Sequence, residues 1–271
     1  MPIKIIATDL DGTLMSPDHL TVTERTKNAL KSAHDKGVKI SIATGRALNF
    51  TNGVTEQIPF ADYVICSNGA SVYDRNNTKF IYTNLVSPEI TAEAVSLLNT
   101  LPVYYNVYMD GNIYAQKGAD VFFKNLDLPT VFLEDFASKL ILSDNLAEDT
   151  KGMGAELIDV FYSTPEDKKI IFDFFESKGF FLASALAGVV SATAQGSDKG
   201  TALSGLCDIL GINAGEAMTF GDASNDKTML EYAEYSFAME NGDEICKNAA
   251  KFSAPSNADD GVARMIEKYV L

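Results

Sequence analysis

The chain has 271 residues, 46% of them hydrophobic and 22% charged, with a formal net charge of −15 and a pI near 4.5. This is soluble globular composition, large enough for one big domain or two unequal ones, and its charge excludes a phosphate-backbone binder, so no nucleic-acid partner is expected. Three scattered cysteines without a CxxC pair exclude a disulfide framework and structural zinc, and with no long apolar run the expectation is a cytoplasmic protein with no membrane partner.

Residues 3 to 8 are apolar and β-branched without clean alternation, the pattern of a strand buried on both faces. "TVTERTKNALKSAHDKG" reads as a helix, with Thr21 and Glu24 as a capping box, Ala29, Leu30 and Ala33 at helical spacing, and Gly37 as the stop. "VKISIAT" (38 to 44) and "YVICSNGA" (63 to 70) follow as buried strands, the second running into a polar turn. Strand, helix, strand at these lengths predicts an α/β fold with a Rossmann-like parallel sheet and helices on both faces.

The middle of the chain loses that rhythm. "SPEITAEAVSLLN" and "TPEDKKIIFDFFESKGF" read as helices, the latter capped by Thr164 with Pro165 at its first position. "VYYNVYMDGNIYAQ" and "KGMGAELIDVFYS" look like antiparallel strands, and an inserted α+β domain is expected over 83–191 within a core of 1–82 and 192–271. Tyr104, Tyr105, Tyr108 and Met109 are read as core of that insert. In the tail, "KGTALSGLCDILGI", "NDKTMLEYA", "GDEICKNAA" and "DDGVARMIEKYVL" are helical, while "AMTFGD" and "YSFAME" are strands.

Ligands of open parallel sheets bind at the carboxyl ends of the strands, and the unusual polar residues collect there. The first strand ends in Asp9-Leu10-Asp11-Gly12-Thr13, the second in Thr44-Gly45-Arg46, the third in Ser67-Asn68-Gly69. The strand near 217 to 220 ends in Gly221-Asp222, followed by Asn225-Asp226, and Lys199 precedes a helix start. Mg²⁺ prefers carboxylate and carbonyl oxygens together with a substrate phosphate. Asp9 and Asp222 are natural ligands, and the Leu10–Asp11 backbone can offer a carbonyl. Lys199 and the Thr44 hydroxyl can hold phosphoryl oxygens. One aspartate of the close pair can attack phosphorus while the other moves the proton.

"DLDGT", "TGR", "GSDKGTAL" and "GDASND", in that order, resemble the four motifs of the haloacid dehalogenase-like phosphatases. "SFAMENG…KNAAKFSAPSNADDGVA" is similar to the C-terminal part of the Cof-type subgroup, whose large α/β cap is inserted after the third strand. The resemblance implies Asp9 as nucleophile and Mg²⁺ ligand, and Asp11 as general acid/base whose carbonyl also binds the metal. It implies Asp222 as an acidic metal ligand and Asp226 as a carboxylate orienting the metal's water shell. Leu10, Thr44, Gly45, Lys199 and Asn225 form the implied phosphate-binding set. Ala223 departs from the glycine usual in "GDGxND", and because alanine resists positive φ a small change of loop is expected there.

Arg46 is either a salt-bridge partner or a substrate contact, and Asn68 lines the entrance or simply makes an Asn-Gly turn. His19 and His34 are read as surface or structural residues. The implied activity is a Mg²⁺-dependent hydrolase of a small phosphorylated metabolite working through an aspartyl phosphate. The alternatives are a phosphomutase or phosphoryl transferase and, from another class, a receiver-like signalling domain, against which the two-residue Asp spacing and the large insert argue.

Overall fold

Why the polar loops meet follows from strand order. In the computed structural model, which describes residues 2–118, 130–183 and 188–271, the first strand, β1 (Ile5–Thr8), is fully buried along its length. Chain-order neighbours β2 (Lys39–Ala43) and β3 (Tyr63–Cys66) lie on one side of it, and β4 (Ser71–Asp74) and β5 (Lys79–Thr83) extend that side. The next six strands, β6 (Tyr104–Met109), β7 (Asn112–Gln116), β8 (Leu140–Ser143), β9 (Leu157–Phe161), β10 (Phe181–Ala183) and β11 (Val189–Thr193), form a separate sheet. The chain then returns to the other side of β1 with β12 (Ala217–Gly221), β13 (Tyr235–Met239) and β14 (Phe252–Ala254).

The first sheet thus runs β14-β13-β12-β1-β2-β3-β4-β5. It is parallel from β14 to β3 and antiparallel where β4 returns against β3. The order reverses between β1 and β12, the switch point at which a crevice opens in α/β sheets. Ile5, Ala7, Ala43 and Ile65 pack on one face against Leu203 and Leu206 of the helix Lys199–Leu210 and Met229 of the helix Lys227–Tyr232. Ile6, Ile40 and Ile42, at alternate positions, are also fully buried. The helices Glu24–Asp35 and Gly261–Tyr269 pack together, and the former also packs on β2. This is the expected α/β architecture, with an antiparallel extension over 71–83 that the parallel-sheet pattern did not announce.

One cap differs from the sequence reading. Thr21 is drawn away by Asp18, whose carboxylate takes both its backbone N–H and its hydroxyl. Thr23 caps the helix instead, its side chain accepting from the Thr26 N–H. Thr164 behaves as read: its hydroxyl oxygen accepts from the Asp167 N–H, with Pro165 opening the helix Pro165–Ser177. Cys66, Cys207 and Cys246 are buried free thiols.

Two units emerge, one made of Met1–Arg46, Thr51–Tyr82 and Asp198–Leu271, the other of Ala47–Phe50 and Thr83–Ser197. The expected boundary at 191/192 falls inside β11, whose pairing with β9 and β10 holds it in the second sheet, so the division comes at Asp198. The second sheet runs β10-β11-β9-β6-β7-β8, antiparallel except between β7 and β8. Tyr105, Val107, Ile158, Val160 and Val190 face Val95, Leu98, Ile171 and Phe175 of the helices Pro88–Leu98 and Pro165–Ser177.

Candidate active site

Asp9 and Asp222 arrive together because β1 and β12 pair in parallel, with Thr8 opposite Phe220 and the Asp9 N–H donating to the Phe220 carbonyl at 3.1 Å. After Asp9 the backbone closes a wide turn, Leu14 N–H to Asp9 O at 3.2 Å and Met15 N–H to Leu10 O at 2.9 Å. Gly12 has φ +82° in that turn, and a Cβ there would lie 2.3 Å from Asp222 Oδ2. Glycine is needed twice over, for the left-handed backbone and for the approach of the Asp222 carboxylate. Thr13 then donates its hydroxyl to Asp222 Oδ1 at 2.6 Å.

Lys199 enters from the first residue of its helix, which Asp198 caps by accepting from the Thr201 N–H at 2.8 Å. The turn at Gly69 presses against this helix start, where a Cβ on Gly69 (φ +92°) would lie 2.2 Å from the Asp198 carbonyl oxygen. The Lys199 side chain has no solvent exposure. Its ammonium donates to Asp9 Oδ1 at 2.7 Å and Asp226 Oδ1 at 2.6 Å. Asp226 in turn accepts with Oδ2 from the N–H groups of Asp222 (2.9 Å) and Ala223 (3.0 Å). Both Asp226 oxygens are therefore committed to shaping the loop and holding the ammonium. Ala223 is extended at φ −118°, so the departure from glycine places no strain on this loop.

Carboxylate oxygens of Asp9, Asp222 and Asp226 lie within 4.8 Å of one another. Burial pushes Asp9 well above the ordinary carboxylate range, Lys199 pulls it back, and Asp226, Asp222 and Asp11 push it up again. Burial also raises Asp222 to about 6, against the lowering effect of the Thr13 hydroxyl. For Lys199 burial alone would favour the neutral amine, but Asp226 and Asp9 outweigh it and hold the pKa above its ordinary value. Three carboxylates around one ammonium leave a surplus of two negative charges, a donor set of hard oxygens suited to a divalent cation such as Mg²⁺. Asp9 Oδ2 and Asp222 Oδ2 are the oxygens not already taken up by Lys199 or Thr13.

The Asp11 side chain stands apart from that cluster. Arg46 grips it as a fork, Nε to Oδ2 at 2.9 Å and a terminal N–H to Oδ1 at 2.6 Å, and His19 Nδ1 lies 3.2 Å from Oδ1. Burial would raise the Asp11 pKa, but the His19 and Arg46 contacts win and lower it. Of the two readings of Arg46, the geometry gives the ion-pair partner. His19, partly exposed as its reading as a surface or structural residue expects, also touches this carboxylate, a contact that nothing in its loop sequence signals.

The remaining predicted residues gather at the ends of β2 and β3. The buried Thr44 hydroxyl accepts from the Arg46 N–H at 3.1 Å. Asn68 sits at φ +55°, donates its N–H to the Thr44 carbonyl at 3.1 Å, and accepts with Oδ1 from the Asn225 side chain at 3.0 Å. Gly45 lies so close that a Cβ there would be 3.0 Å from Asn68 Oδ1. The Leu10 side chain is fully buried, which leaves only its backbone for a ligand.

Two residues outside the motifs also fix the first loop. Asn241 donates to the Gly12 carbonyl at 2.8 Å, and Asn257 donates to the Met15 carbonyl at 2.9 Å while its N–H binds Asn241 Oδ1 at 3.1 Å. They and Thr13 were missed as site residues; their signal, polar side chains in loops after strand ends, is shared by many ordinary turns.

Residues 6–266 match the haloacid dehalogenase-like hydrolase family. The chain is 29% identical over 286 residues to the phosphatase YwpJ of Bacillus subtilis, covering 98% of this chain and 99% of that one. It is 26% identical over 270 residues to the 5-amino-6-(5-phospho-D-ribitylamino)uracil phosphatase YcsE of the same organism, covering 99% and 96%. Among solved structures it is similar to a haloacid dehalogenase-like hydrolase from B. subtilis, with a TM-score of 0.83 at 26% identity over 99% of this chain and 100% of the other.

Proposed function

The chain belongs to the haloacid dehalogenase-like hydrolases, and from that premise we propose that it is a Mg²⁺-dependent phosphohydrolase acting on small organic phosphate monoesters through an aspartyl phosphate on Asp9. The observation that carries the reading is the buried Lys199 ammonium between Asp9 and Asp226, with Asp222 beside them. Such a cluster can gather a phosphoryl group and a divalent cation at the oxygen that would attack. Relatives named as phosphatases, one of them for a phosphorylated ribitylaminouracil, support a small phosphorylated metabolite as the partner.

In this proposal Asp9, Asp222 and the Asp11 carbonyl hold Mg²⁺, which supplies charge neutralisation at the phosphoryl oxygens. Lys199, Thr44, the Gly45 and Leu10 backbone and Asn225 hold and orient those oxygens. An Asp9 carboxylate oxygen forms the new bond to phosphorus as the bond to the leaving oxygen breaks, and that oxygen takes a proton from Asp11. Asp11, then a carboxylate, accepts a proton from the water that attacks the aspartyl phosphate, and inorganic phosphate leaves with Asp9 restored. The Arg46 fork and His19 favour the carboxylate form of Asp11, which suits the second step. Acting as the acid of the first step requires Asp11 to part from Arg46, and a phosphate dianion is a competing partner for the same guanidinium. The inserted unit takes the part of a cap that limits water and reads the leaving group.

The test is release of inorganic phosphate from an aryl phosphate. Steady Mg²⁺-dependent turnover, abolished in an Asp9→Asn variant that still folds, supports the reading. An Asp9→Asn variant keeping more than about a hundredth of the rate refutes the nucleophile. Stoichiometric labelling without turnover points to a signalling domain, and phosphate transfer to an added sugar hydroxyl points to a transferase.

A further inference from the structure

Three successive residues at the end of β3 carry positive φ, Ser67 at +51°, Asn68 at +55° and Gly69 at +92°. Glycine takes that region freely, whereas an L side chain there crowds the backbone, and asparagine is among the few that tolerate it. Such strain persists only where the surrounding structure holds it in place. Here the holding contacts reach three of the loops that carry the predicted phosphate set. The Ser67 N–H donates to the Arg46 carbonyl at 2.9 Å, and the Asn68 N–H to the Thr44 carbonyl at 3.1 Å. The Asn68 side chain accepts with Oδ1 from Asn225 Nδ2 at 3.0 Å. Gly69 packs so tightly on the start of the Lys199 helix that a Cβ would lie 2.9 Å from the Lys199 backbone nitrogen.

Two of those contacts aim hydrogen-bond donors. Thr44 and Gly45 share a peptide bond, planar and trans, in which the N–H points opposite to the C=O. Fixing the Thr44 carbonyl with the Asn68 N–H therefore fixes the direction of the Gly45 N–H, on the other side of the same plane. Asn225 carries two N–H bonds on Nδ2. With one given to Asn68 Oδ1 the amide is oriented, and the direction of the other N–H is set with it. Gly45, Asn68 and Asn225 are all half-buried, so this corner is open to solvent rather than sealed in the core.

We propose that Asn68 is a positioning residue for phosphate binding, its backbone aiming the Gly45 N–H and its side chain aiming Asn225, which rests on the reading of Gly45 and Asn225 as phosphate contacts. The two tasks together explain the residue type. Glycine would keep the turn but lose the Oδ1 acceptor, and alanine would lose the acceptor and resist the turn. Aspartate would keep both, yet it would bring a negative charge beside donors meant for an anion. Asparagine combines tolerance of the left-handed backbone, an acceptor and no charge. Asn68 thereby acts through its neighbours, which differs both from an entrance-lining substrate contact and from a simple Asn-Gly turn.

The experiment titrates inorganic phosphate, with Mg²⁺ present, into the full-length wild-type chain and its variants, following binding by phosphorus NMR and folding by thermal melts. Asn68→Gly keeps the backbone N–H and the positive φ while deleting the acceptor. It should fold as the wild type does and raise the phosphate dissociation constant about three- to tenfold. In an Asn225→Ala background the same substitution should weaken binding by less than about a further twofold, because the group it orients is gone. Asn68→Ala should bind phosphate more weakly than Asn68→Gly and melt roughly 2–8 °C lower, since its Cβ strains the turn that holds Thr44. The proposal is overturned if Asn68→Gly binds phosphate as tightly as the wild type. It is also overturned if the loss persists in full beside Asn225→Ala, which would make Asn68 a direct phosphate contact. Equal affinity and equal melting of Asn68→Ala and Asn68→Gly would overturn the aiming of Gly45. A wild-type chain that binds no phosphate fails the phosphatase reading and this inference with it, whereas a wild type that binds, with Asn68→Gly unchanged, fails this inference alone.

Discussion

Lys199→Met removes a charge and keeps nearly the same volume, so it isolates what the ammonium does. The Lys199 side chain has no exposure, and its Nζ sits 2.7 Å from Asp9 and 2.6 Å from Asp226. Deleting one member of a buried charge pair leaves the partners uncompensated and typically costs about 3–5 kcal/mol. At roughly 2–4 °C per kcal/mol for a chain of this size, the melting temperature should fall by roughly 6–20 °C near neutral pH. The loss should depend on pH in one direction. Without the ammonium, Asp9 and Asp222, both raised by burial, take up protons in the folded state that they do not hold when unfolded. The variant's deficit should therefore shrink between about pH 8 and about pH 5. The wild-type group behaves oppositely. A lysine held above its ordinary pKa contributes its stabilisation fully below that ordinary value and loses it only as pH rises through the folded value, so it adds no slope in this window. Added Mg²⁺ should raise the variant's melting temperature more than the wild type's, because the cation then neutralises a larger surplus of charge. Melts at two pH values, with and without Mg²⁺, are the assay. A loss below about 1 kcal/mol that is the same at both pH values would refute the view that Lys199 balances the acidic cluster.

Three other outcomes follow from the geometry. Asp222, with its pKa raised to about 6, competes with protons for a cation, so the Mg²⁺ concentration giving half-maximal phosphate release should rise as pH falls through about 6, approaching about tenfold per pH unit well below it; a flat profile from pH about 7 to about 5 removes Asp222 from the ligand set. Thr13→Val deletes the 2.6 Å hydrogen bond that orients Asp222 and should raise the same half-saturation value about 10–100-fold while leaving the rate at saturating Mg²⁺ nearly unchanged, measured by Mg²⁺ titration of steady-state rates. Asp11→Asn should slow alkyl phosphates far more than aryl phosphates, because only the poor leaving group needs the proton; equal losses in parallel kinetic assays of the two classes would count against the acid role.

Much of this protein was legible before folding is considered. The buried β1, the βαβ rhythm and the motif loops are local patterns, set by apolar runs and turn residues within a few positions of one another. Asp9, Lys199, Asp222 and Asp226 could be named because they fall at strand ends or helix starts, where a parallel sheet exposes its polar groups. Tertiary structure decided the rest, for physical reasons that are non-local. Thr21 lost its cap to Thr23 because Asp18 competes for its hydrogen bonds. The boundary of the inserted unit moved to Asp198 because pairing with β9 and β10, not composition, sets where β11 belongs. That His19 and Arg46 converge on Asp11, that Thr13 steers Asp222, and that Asn106 is buried with no partner among the described residues all depend on which side chains meet across the fold. Sequence spacing sets which face of an element a residue occupies, but the register between distant segments chooses its neighbours.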